Sequence, residues 1–296
     1  MILVAGATGF LGGEVCRRLA ERGKAVRALV RSTSTPEAVG RLHAFGVQTI
    51  EGDLKDPSSL PAACAGVRAV ISTATSTHSR QDGDSIESTD GAGQRNLVRA
   101  ARDAGVERFT YVSYSGGIDT DDPLTRAKRS VEREIQGSGM TYTVLRPSFF
   151  MEVWLSPALG FDYPNAKATI FGDGTRPVSW ISLADVASFA VETLDHPAAR
   201  NAVLELGGPE ALSPLQVVAL FEEIGGRSFE RHHVPEDQLR TAFDTATDSL
   251  PKTFAALQLN YAGGDAIPME ETHRTYGIQP TSVRDYASRV LSTAQA

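Results

Sequence analysis

The first twelve residues, MILVAGATGFLG, constrain the fold more than any other part of the chain. An apolar run from Ile2 to Ala5 predicts a buried strand, and a helical pattern follows directly after a glycine-rich turn. In this context Gly6 would permit a sharp turn, Gly9 the close approach of a phosphate, and Gly12 tight packing of the helix on the strand. Because helix N-termini attract anions, we predict a dinucleotide-binding turn rather than a tight turn without a ligand.

The composition limits which partners and which compartment are expected. The chain has 296 residues, is 41% hydrophobic and carries a formal charge of -7, which favours a large core and disfavours nucleic-acid binding. Cys16 and Cys64 fall in apolar helical patterns and predict buried thiols in a reducing cytoplasm, without a metal site. No signal peptide and no apolar run of about 18 residues is evident, so we expect a cytoplasmic protein that does not cross a membrane.

The order of the predicted elements favours an α/β fold. Buried strands alternate with amphipathic helices through residue 150, which predicts a doubly wound parallel Rossmann sheet with right-handed crossovers. We expect residues 1–150 to form the NAD(P)-binding domain, with 178–206 returning to it. Residues 151–177 and 207–296 would form a small interleaved C-terminal substrate lobe, and its helices would include one long helix around Pro235–Leu259.

The residue that ends the second strand predicts which dinucleotide binds. An acid at this position would hydrogen-bond the ribose hydroxyls of NAD, whereas this chain has Arg31 followed by Ser32. A guanidinium can donate two hydrogen bonds to a phosphate, so NADP(H) is expected in preference to NAD(H). The alternative is a solvated surface arginine.

Three stretches carry a family resemblance, and one of them is the pattern Asp-x-x-Gly-x-x-Asn-Leu that begins at Asp90. The spacing G-x-x-G-x-x-G, with Ala7-Thr8 and Phe10-Leu11 between the glycines, resembles the short-chain dehydrogenase/reductase superfamily. The segment Lys128…Glu132…Gly139–Pro147…Phe150-Met151 resembles its atypical NmrA-like and isoflavone-reductase-like branch. The resemblance, together with the small residues that end the fourth strand, implies a cofactor site built from Gly6, Thr8, Gly9, Phe10, Leu11, Arg31, Ser32, Asp53, Leu54, Thr73, Ala74, Thr75, Lys128 and Pro147.

The resemblance also implies catalytic residues, with one departure. Most members of the superfamily use a tyrosine four residues before a lysine, and here Leu124 precedes Lys128 at that distance. Lys128 would bind the cofactor ribose and assist proton transfer, or only bind the cofactor, or be a surface lysine. Ser113 is the first choice for the substrate-binding serine, within one or two residues, and Tyr114 either supplies the missing phenol or packs under the cofactor loop.

Aromatic residues after the sixth strand suggest the substrate class. Phe149, Phe150, Trp154 and Tyr163 would line an apolar substrate pocket, although aromatic side chains are more often part of a core. His78, in a polar loop, is expected to be solvated.

These features predict an NADP-dependent oxidoreductase that transfers hydride to a carbonyl or conjugated double bond of a small, aromatic or hydrophobic molecule. The alternative from another class is a non-catalytic NmrA-like redox sensor that binds the dinucleotide and acts through a protein partner. A sugar-nucleotide epimerase is disfavoured because that chemistry needs the missing tyrosine. The sequence leaves the oligomeric state open.

Overall fold

A computed structural model describes residues 1–77 and 81–294; His78 lies outside the described residues. The strands are β1 (Ile2–Ala5), β2 (Val26–Val30), β3 (Gln48–Glu51), β4 (Ala69–Ser72), β5 (Arg108–Val112), β6 (Thr141–Pro147), β7 (Phe161–Asp162), β8 (Lys167–Phe171), β9 (Ala202–Leu206) and β10 (Glu230–Val234). The helices are α1 (Phe10–Glu21), α2 (Pro36–Ala44), α3 (Leu60–Cys64), α4 (Gln94–Asp103), α5 (Pro123–Gln136), α6 (Met151–Trp154), α7 (Leu183–Glu192), α8 (Pro214–Gly225), α9 (Glu236–Thr245), α10 (Ser249–Gly263), α11 (Glu270–Tyr276) and α12 (Val283–Ala294). A π-helical segment, Ile86–Gly93, leads directly into α4.

The main sheet has seven strands in the order β3-β2-β1-β4-β5-β6-β9. The strand pairs from β3 through β6 are parallel, with Val4 opposite Ala28 on one side and Ile71 on the other. The order reverses at β1, which is the crevice where ligands bind in open α/β sheets. The predicted doubly wound Rossmann fold is confirmed.

The chain divides into two compact units that interleave along the sequence. The first unit comprises 1–113, 123–146 and 186–204, and the second comprises 114–122, 147–185 and 205–296. The core of the first unit is made from strand residues such as Leu3, Phe109 and Val144, all fully buried. The core of the second unit is built around Trp180 and Phe221.

Helix α5 is formed by a sequence that places chemistry on its buried face. Pro123 occupies the first helical position, and glycines at 137 and 139 follow its end. Val131 and Ile135 are fully buried in the core of the first unit, and Lys128 and Glu132 lie on the same buried side one turn apart. Polar groups on the buried side of a helix require hydrogen-bond or ion-pair partners.

Two local predictions are wrong. The single helix expected around Pro235–Leu259 is two helices, α9 and α10, because Ala246 and Asp248 adopt extended backbone conformations with ψ of 123° and 141°. Strand β10 was not predicted, since its residues show no apolar alternation. It forms through parallel backbone pairing with β8, in which His232 lies opposite Thr169. Within the described residues, no helix is both long and apolar enough to cross a membrane.

Candidate functional site

The turn after β1 has the geometry that its glycines predict. Gly6 has a positive φ of 81°, and a Cβ placed there would lie 2.7 Å from the amide nitrogen of Ala74. A Cβ on Gly12 would lie 2.2 Å from the carbonyl oxygen of Gly6. Since real side chains do not approach backbone atoms so closely, β1, β4 and α1 meet here only because these positions are glycine.

Gly9 leaves space at the N-terminus of α1. It is exposed, its backbone is extended (φ -80°, ψ 171°), and a Cβ there would make only an ordinary 3.4 Å contact with the carbonyl oxygen of Gly6. No side chain caps this helix, so the N–H groups of its first turn have no intrahelical acceptor. Thr8 and Leu11 are half-buried beside it, and Phe10 is 91% exposed. Open space, backbone donors and the positive end of the helix dipole fit a phosphate group.

Arg31, at the end of β2, belongs to an ion-pair cluster. Its Nη1 donates to Oδ2 of Asp84 at 2.7 Å, and Nζ of Lys55 donates to Oδ1 of the same carboxylate at 2.6 Å. Burial alone would raise the pKa of Asp84, but the hydrogen bonds from Lys55 and Arg31 hold it below its ordinary value. The alternative of a freely solvated arginine is therefore wrong, whereas Ser32 beside it is exposed.

Asp53 and Leu54, after β3, organise the adjoining loop. Oδ1 of Asp53 accepts the backbone N–H of Lys55 at 2.8 Å, and its own N–H donates to Oγ of Ser59 at 3.0 Å. Leu54 is buried in the core of the first unit. Both residues lie at the carboxyl edge of the sheet, and their contact with the cofactor remains a prediction.

The end of β4 carries small side chains, as expected. The hydroxyl of Thr73 donates to the carbonyl oxygen of Ala5 at 3.2 Å, which ties β4 to the glycine turn. The carbonyl oxygen of Ala74 accepts a hydrogen bond from the Gln94 side chain at 2.7 Å, and Thr75 is half-buried. Thr73, Ala74 and Thr75 thus place only small side chains directly after β4.

Lys128 is buried at the carboxyl end of β5. The residue is 5% exposed, its Nζ donates to the carbonyl oxygen of Val112 at 3.2 Å, and it lies 5.1 Å from the centroid of the Tyr111 ring. Burial lowers the pKa of Lys128 below its ordinary value. The surface-lysine alternative is therefore wrong. Leu124, at the position of the usual tyrosine, is buried and carries no proton-transfer group.

Asp90, in the π-helical segment, faces Lys128. It is fully buried, and its Oδ2 accepts hydrogen bonds from the backbone N–H of Ser76 at 2.9 Å and from the Ser76 hydroxyl at 2.6 Å. Its Oδ1 lies 3.9 Å from Nζ of Lys128. Asp90 begins a pattern that carried the family resemblance, but no role was predicted for it. No local pattern indicated a π-helical segment that would point it at a lysine 38 positions along the chain.

Ser113 joins a buried polar cluster one turn beyond Lys128. Its hydroxyl donates to Oε1 of Glu132 at 2.5 Å, and the same oxygen accepts from Arg129 at 2.7 Å. Arg146 donates to Oε2 of Glu132 at 2.5 Å. Burial would raise the pKa of Glu132, but the hydrogen bonds from Arg146 and Ser113 and the charge of Arg129 hold it below its ordinary value. Glu132 and Arg146 stand in the segment that carried the resemblance, so the signal was present in the sequence.

In the second unit, the loop after β5 is hydrogen-bonded to a buried aspartate, Asp265. Tyr114 packs against the core of that unit, and the Ser115 hydroxyl donates to Oδ1 of Asp265 at 2.8 Å. Pro147 is buried, and its carbonyl oxygen accepts the Ser115 N–H at 2.9 Å. Burial raises the pKa of Asp265. Asp265 was not predicted, since it lies 150 positions from its partner in the chain.

The aromatic residues of the second unit divide into two clusters. Phe149 and Trp154 meet edge to face at 4.9 Å, and the Trp154 ring stacks on Tyr261 at 5.3 Å. Tyr163 lies in the other cluster, 6.1 Å from Phe221. The predicted substrate residues are thus not brought into one group: Phe149 and Trp154 lie together, Tyr163 is apart, and Phe150 is joined to Ile181 through backbone bridging. Contact with a substrate remains a prediction for all four.

Histidine, cysteine, aspartate and glutamate side chains of the described ranges form no group of three or more that could hold a metal ion. The polar groups of the first unit instead combine phosphate-binding geometry with one buried lysine and its acids. This set of residues can hold a dinucleotide and can hold or move a proton at Nζ of Lys128.

Comparison with known proteins agrees with this geometry. The model of the NmrA-like family matches residues 1–287. The chain is 32% identical over 278 residues to an NAD(P)H azoreductase of Xenophilus azovorans, covering 90% of this chain and 92% of the relative. It is 30% identical over 240 residues to the photosystem II assembly factor Ycf39 of Trieres chinensis, covering 79% and 72%.

A solved structure shares the fold. An NADPH-dependent quinone oxidoreductase from Escherichia coli, in complex with NADPH, superposes with a TM-score of 0.79 at 23% identity, covering 98% of this chain and 99% of that one. The predicted resemblance is confirmed, and the chain belongs to the NmrA-like family.

Proposed function

We propose that the protein is an NADPH-dependent reductase of small aromatic molecules. One observation carries the proposal: an uncapped helix N-terminus with open space at Gly9 and a buried lysine, Lys128, lie at the carboxyl edge of the same parallel sheet. A dinucleotide needs the first feature for its diphosphate. A reductase also needs a group near the nicotinamide ribose that can hold a proton.

Each part of the edge has a role in this proposal. The first turn of α1 binds the diphosphate, and Arg31 with Lys55 binds the 2′-phosphate of the adenosine ribose. Lys128 binds the nicotinamide ribose hydroxyls and holds a proton at Nζ. NADPH, when bound, supplies a hydride.

Ser113, in the first unit, is proposed to contact the substrate. The Ser113 hydroxyl now donates to Glu132, so it would bind a substrate oxygen by exchanging this acceptor. The aromatic acceptor is supported by the relatives, since one is named an azoreductase and another a quinone oxidoreductase. Aromatic side chains favour flat aromatic acceptors through stacking and edge-to-face contacts.

The test is NADPH oxidation, followed by its absorbance, in a panel of quinones, azo dyes and conjugated enones. Turnover with at least one acceptor, reduced at least tenfold in Lys128→Ala at saturating NADPH, is the expected result. Lys167→Ala is the matched control, because Lys167 is an exposed lysine paired with Glu230. Unchanged turnover in Lys128→Ala would refute a catalytic role for this lysine.

A second candidate is a redox sensor that binds NADP(H), turns nothing over and acts on a protein partner. It is favoured by Leu124, which replaces the usual tyrosine with a buried apolar side chain, and by similarity to a relative named an assembly factor. A sensor would bind NADPH and NADP⁺ with different affinities and would oxidise no NADPH with any acceptor of the panel. Calorimetric titration of both forms, beside the turnover screen, separates the two candidates.

A further inference from the structure

We propose that Asp90 is a positioning residue that keeps Lys128 protonated and directed at the carboxyl edge of the sheet. The proposal rests on the proposed function, because it assigns the charge state of the lysine that serves there. Asp90 is fully buried, and its Oδ2 is held by the N–H and the hydroxyl of Ser76. Among the described residues, its Oδ1 has no hydrogen-bond partner, and it faces Nζ of Lys128 across 3.9 Å.

The orphaned oxygen is the unusual part of this arrangement. A buried carboxylate oxygen without a partner is destabilising, and folded proteins rarely leave one. Here the cost is offset by the neighbouring ammonium group, which is itself buried and donates to the carbonyl oxygen of Val112. The two charges compensate each other at a separation too long for a direct hydrogen bond, so their coupling is electrostatic.

The backbone of the π-helical segment makes this approach possible. Ser85 and Ser88 cap its first turn through reciprocal hydrogen bonds, so the segment begins at a fixed position. A Cβ on Gly91 would lie 3.8 Å from Cβ of Ala127, which shows how closely the segment packs on α5 beside Lys128. π-helical turns are frequently found at functional sites.

Among the charged groups around Lys128, Asp90 does most to raise the pKa of the lysine. From its own helix, Arg129 lowers the pKa of Lys128 and Glu132 raises it. From β5, the carbonyl oxygen of Val112 accepts a hydrogen bond from Nζ at 3.2 Å, and the Tyr111 ring lies 5.1 Å from it. Glu132, however, is neutralised by its contacts with Arg129 and Arg146. Burial lowers the pKa of Lys128 most strongly, and Asp90 is the first charge that opposes it. Without Asp90, Lys128 would lose its proton at lower pH.

The test is the titration of Lys128 itself, in the purified full-length protein without a cofactor. Lysine labelled with ¹³C at Cε gives few signals, because Lys24, Lys55, Lys128, Lys167 and Lys252 are the five lysines of the chain. The spectrum of Lys128→Met assigns the signal. Asp90→Asn should lower the titration midpoint of Lys128 by about one to two pH units. Glu87→Gln, an exposed change in the same segment, should leave it unchanged.

An unchanged midpoint in Asp90→Asn would overturn the proposal. If Asp90→Asn does not fold, the double variant Asp90→Asn/Lys128→Met tests the pairing instead. The double variant should fold, because it removes both buried charges. Failure of the double variant to fold would contradict the pairing. The titration needs neither NADPH nor a substrate, so it tests the Asp90–Lys128 pair separately from the reductase function. If the midpoint shifts but the protein turns over no acceptor, the pairing is supported and only the reductase function is refuted. In an active enzyme, the alkaline limb of kcat/KM should move to lower pH by the same amount.

Discussion

Replacing Glu132 by glutamine tests the buried cluster next to the candidate site. The glutamine keeps the shape of the side chain and removes the charge that Arg146 and Arg129 contact at 2.5 Å and 2.7 Å. The Glu132 side chain is only 4% exposed, so water cannot take the place of the lost carboxylate between the two arginines. Both arginines are partly exposed and can still contact water elsewhere. Breaking such a buried pair costs about 3 kcal/mol, which lowers the Tm of a chain of 296 residues by about 5 °C.

The assay is thermal unfolding followed by far-ultraviolet circular dichroism, since the cluster lies in the first unit and both tryptophans lie in the second. The matched control is Glu134→Gln on the same helix, whose exposed pair with Arg99 should contribute little to stability. Because the folded pKa of Glu132 is lowered, its contribution is present above its ordinary pKa of 4.5 and lost as pH falls through the folded value. Equal Tm values for the two variants at pH 7 would refute the reasoning.

Three further changes test the cofactor edge. Gly9→Ala should leave Tm within about 2 °C of the wild type, because its Cβ would make only a 3.4 Å contact with the carbonyl oxygen of Gly6, but it should weaken NADP⁺ binding at least tenfold by calorimetry. Gly12→Ala, in contrast, should destabilise the fold, because its Cβ would lie 2.2 Å from the same oxygen. Equal affinity in Gly9→Ala would argue against a phosphate at this turn. Arg31→Ala should raise the Kd for NADP⁺ about tenfold and that for NAD⁺ less than twofold; equal losses would contradict 2′-phosphate recognition. Lys128→Ala should lower kcat more than it raises KM for NADPH, and the reverse pattern would reduce Lys128 to a cofactor-binding residue.

Local patterns were sufficient to predict the strands and the glycine turn of the first unit. The glycine spacing after β1, the small residues that end β4 and the buried run of each strand are consequences of backbone geometry within a few residues of one another, so the sequence predicts them directly. Lys128 was found through its resemblance to a family motif, and the packing of α5 then gave it the buried position that the motif alone could not specify.

What the sequence did not reveal depends on contacts between distant residues. Three such contacts join residues that are 38 to 150 positions apart in the chain: Asp84 with Arg31, Asp90 with Lys128, and Asp265 with Ser115. The hydrophobic periodicity of the sequence does not indicate which of these residues will meet. Strand β10 forms because its backbone pairs with β8, although its side chains are mostly exposed. Tertiary pairing overrides local preference at such positions.

The most direct test of the central claim is anaerobic stoichiometry. The protein is mixed with NADPH and each acceptor of the panel, and the loss of NADPH is compared with the chemical reduction of the acceptor in the same sample. The account predicts, for at least one aromatic acceptor, one NADPH consumed for each two-electron reduction, and loss of both signals in Lys128→Ala. NADPH that binds at the glycine turn but is consumed with no acceptor would contradict the reductase and favour the sensor.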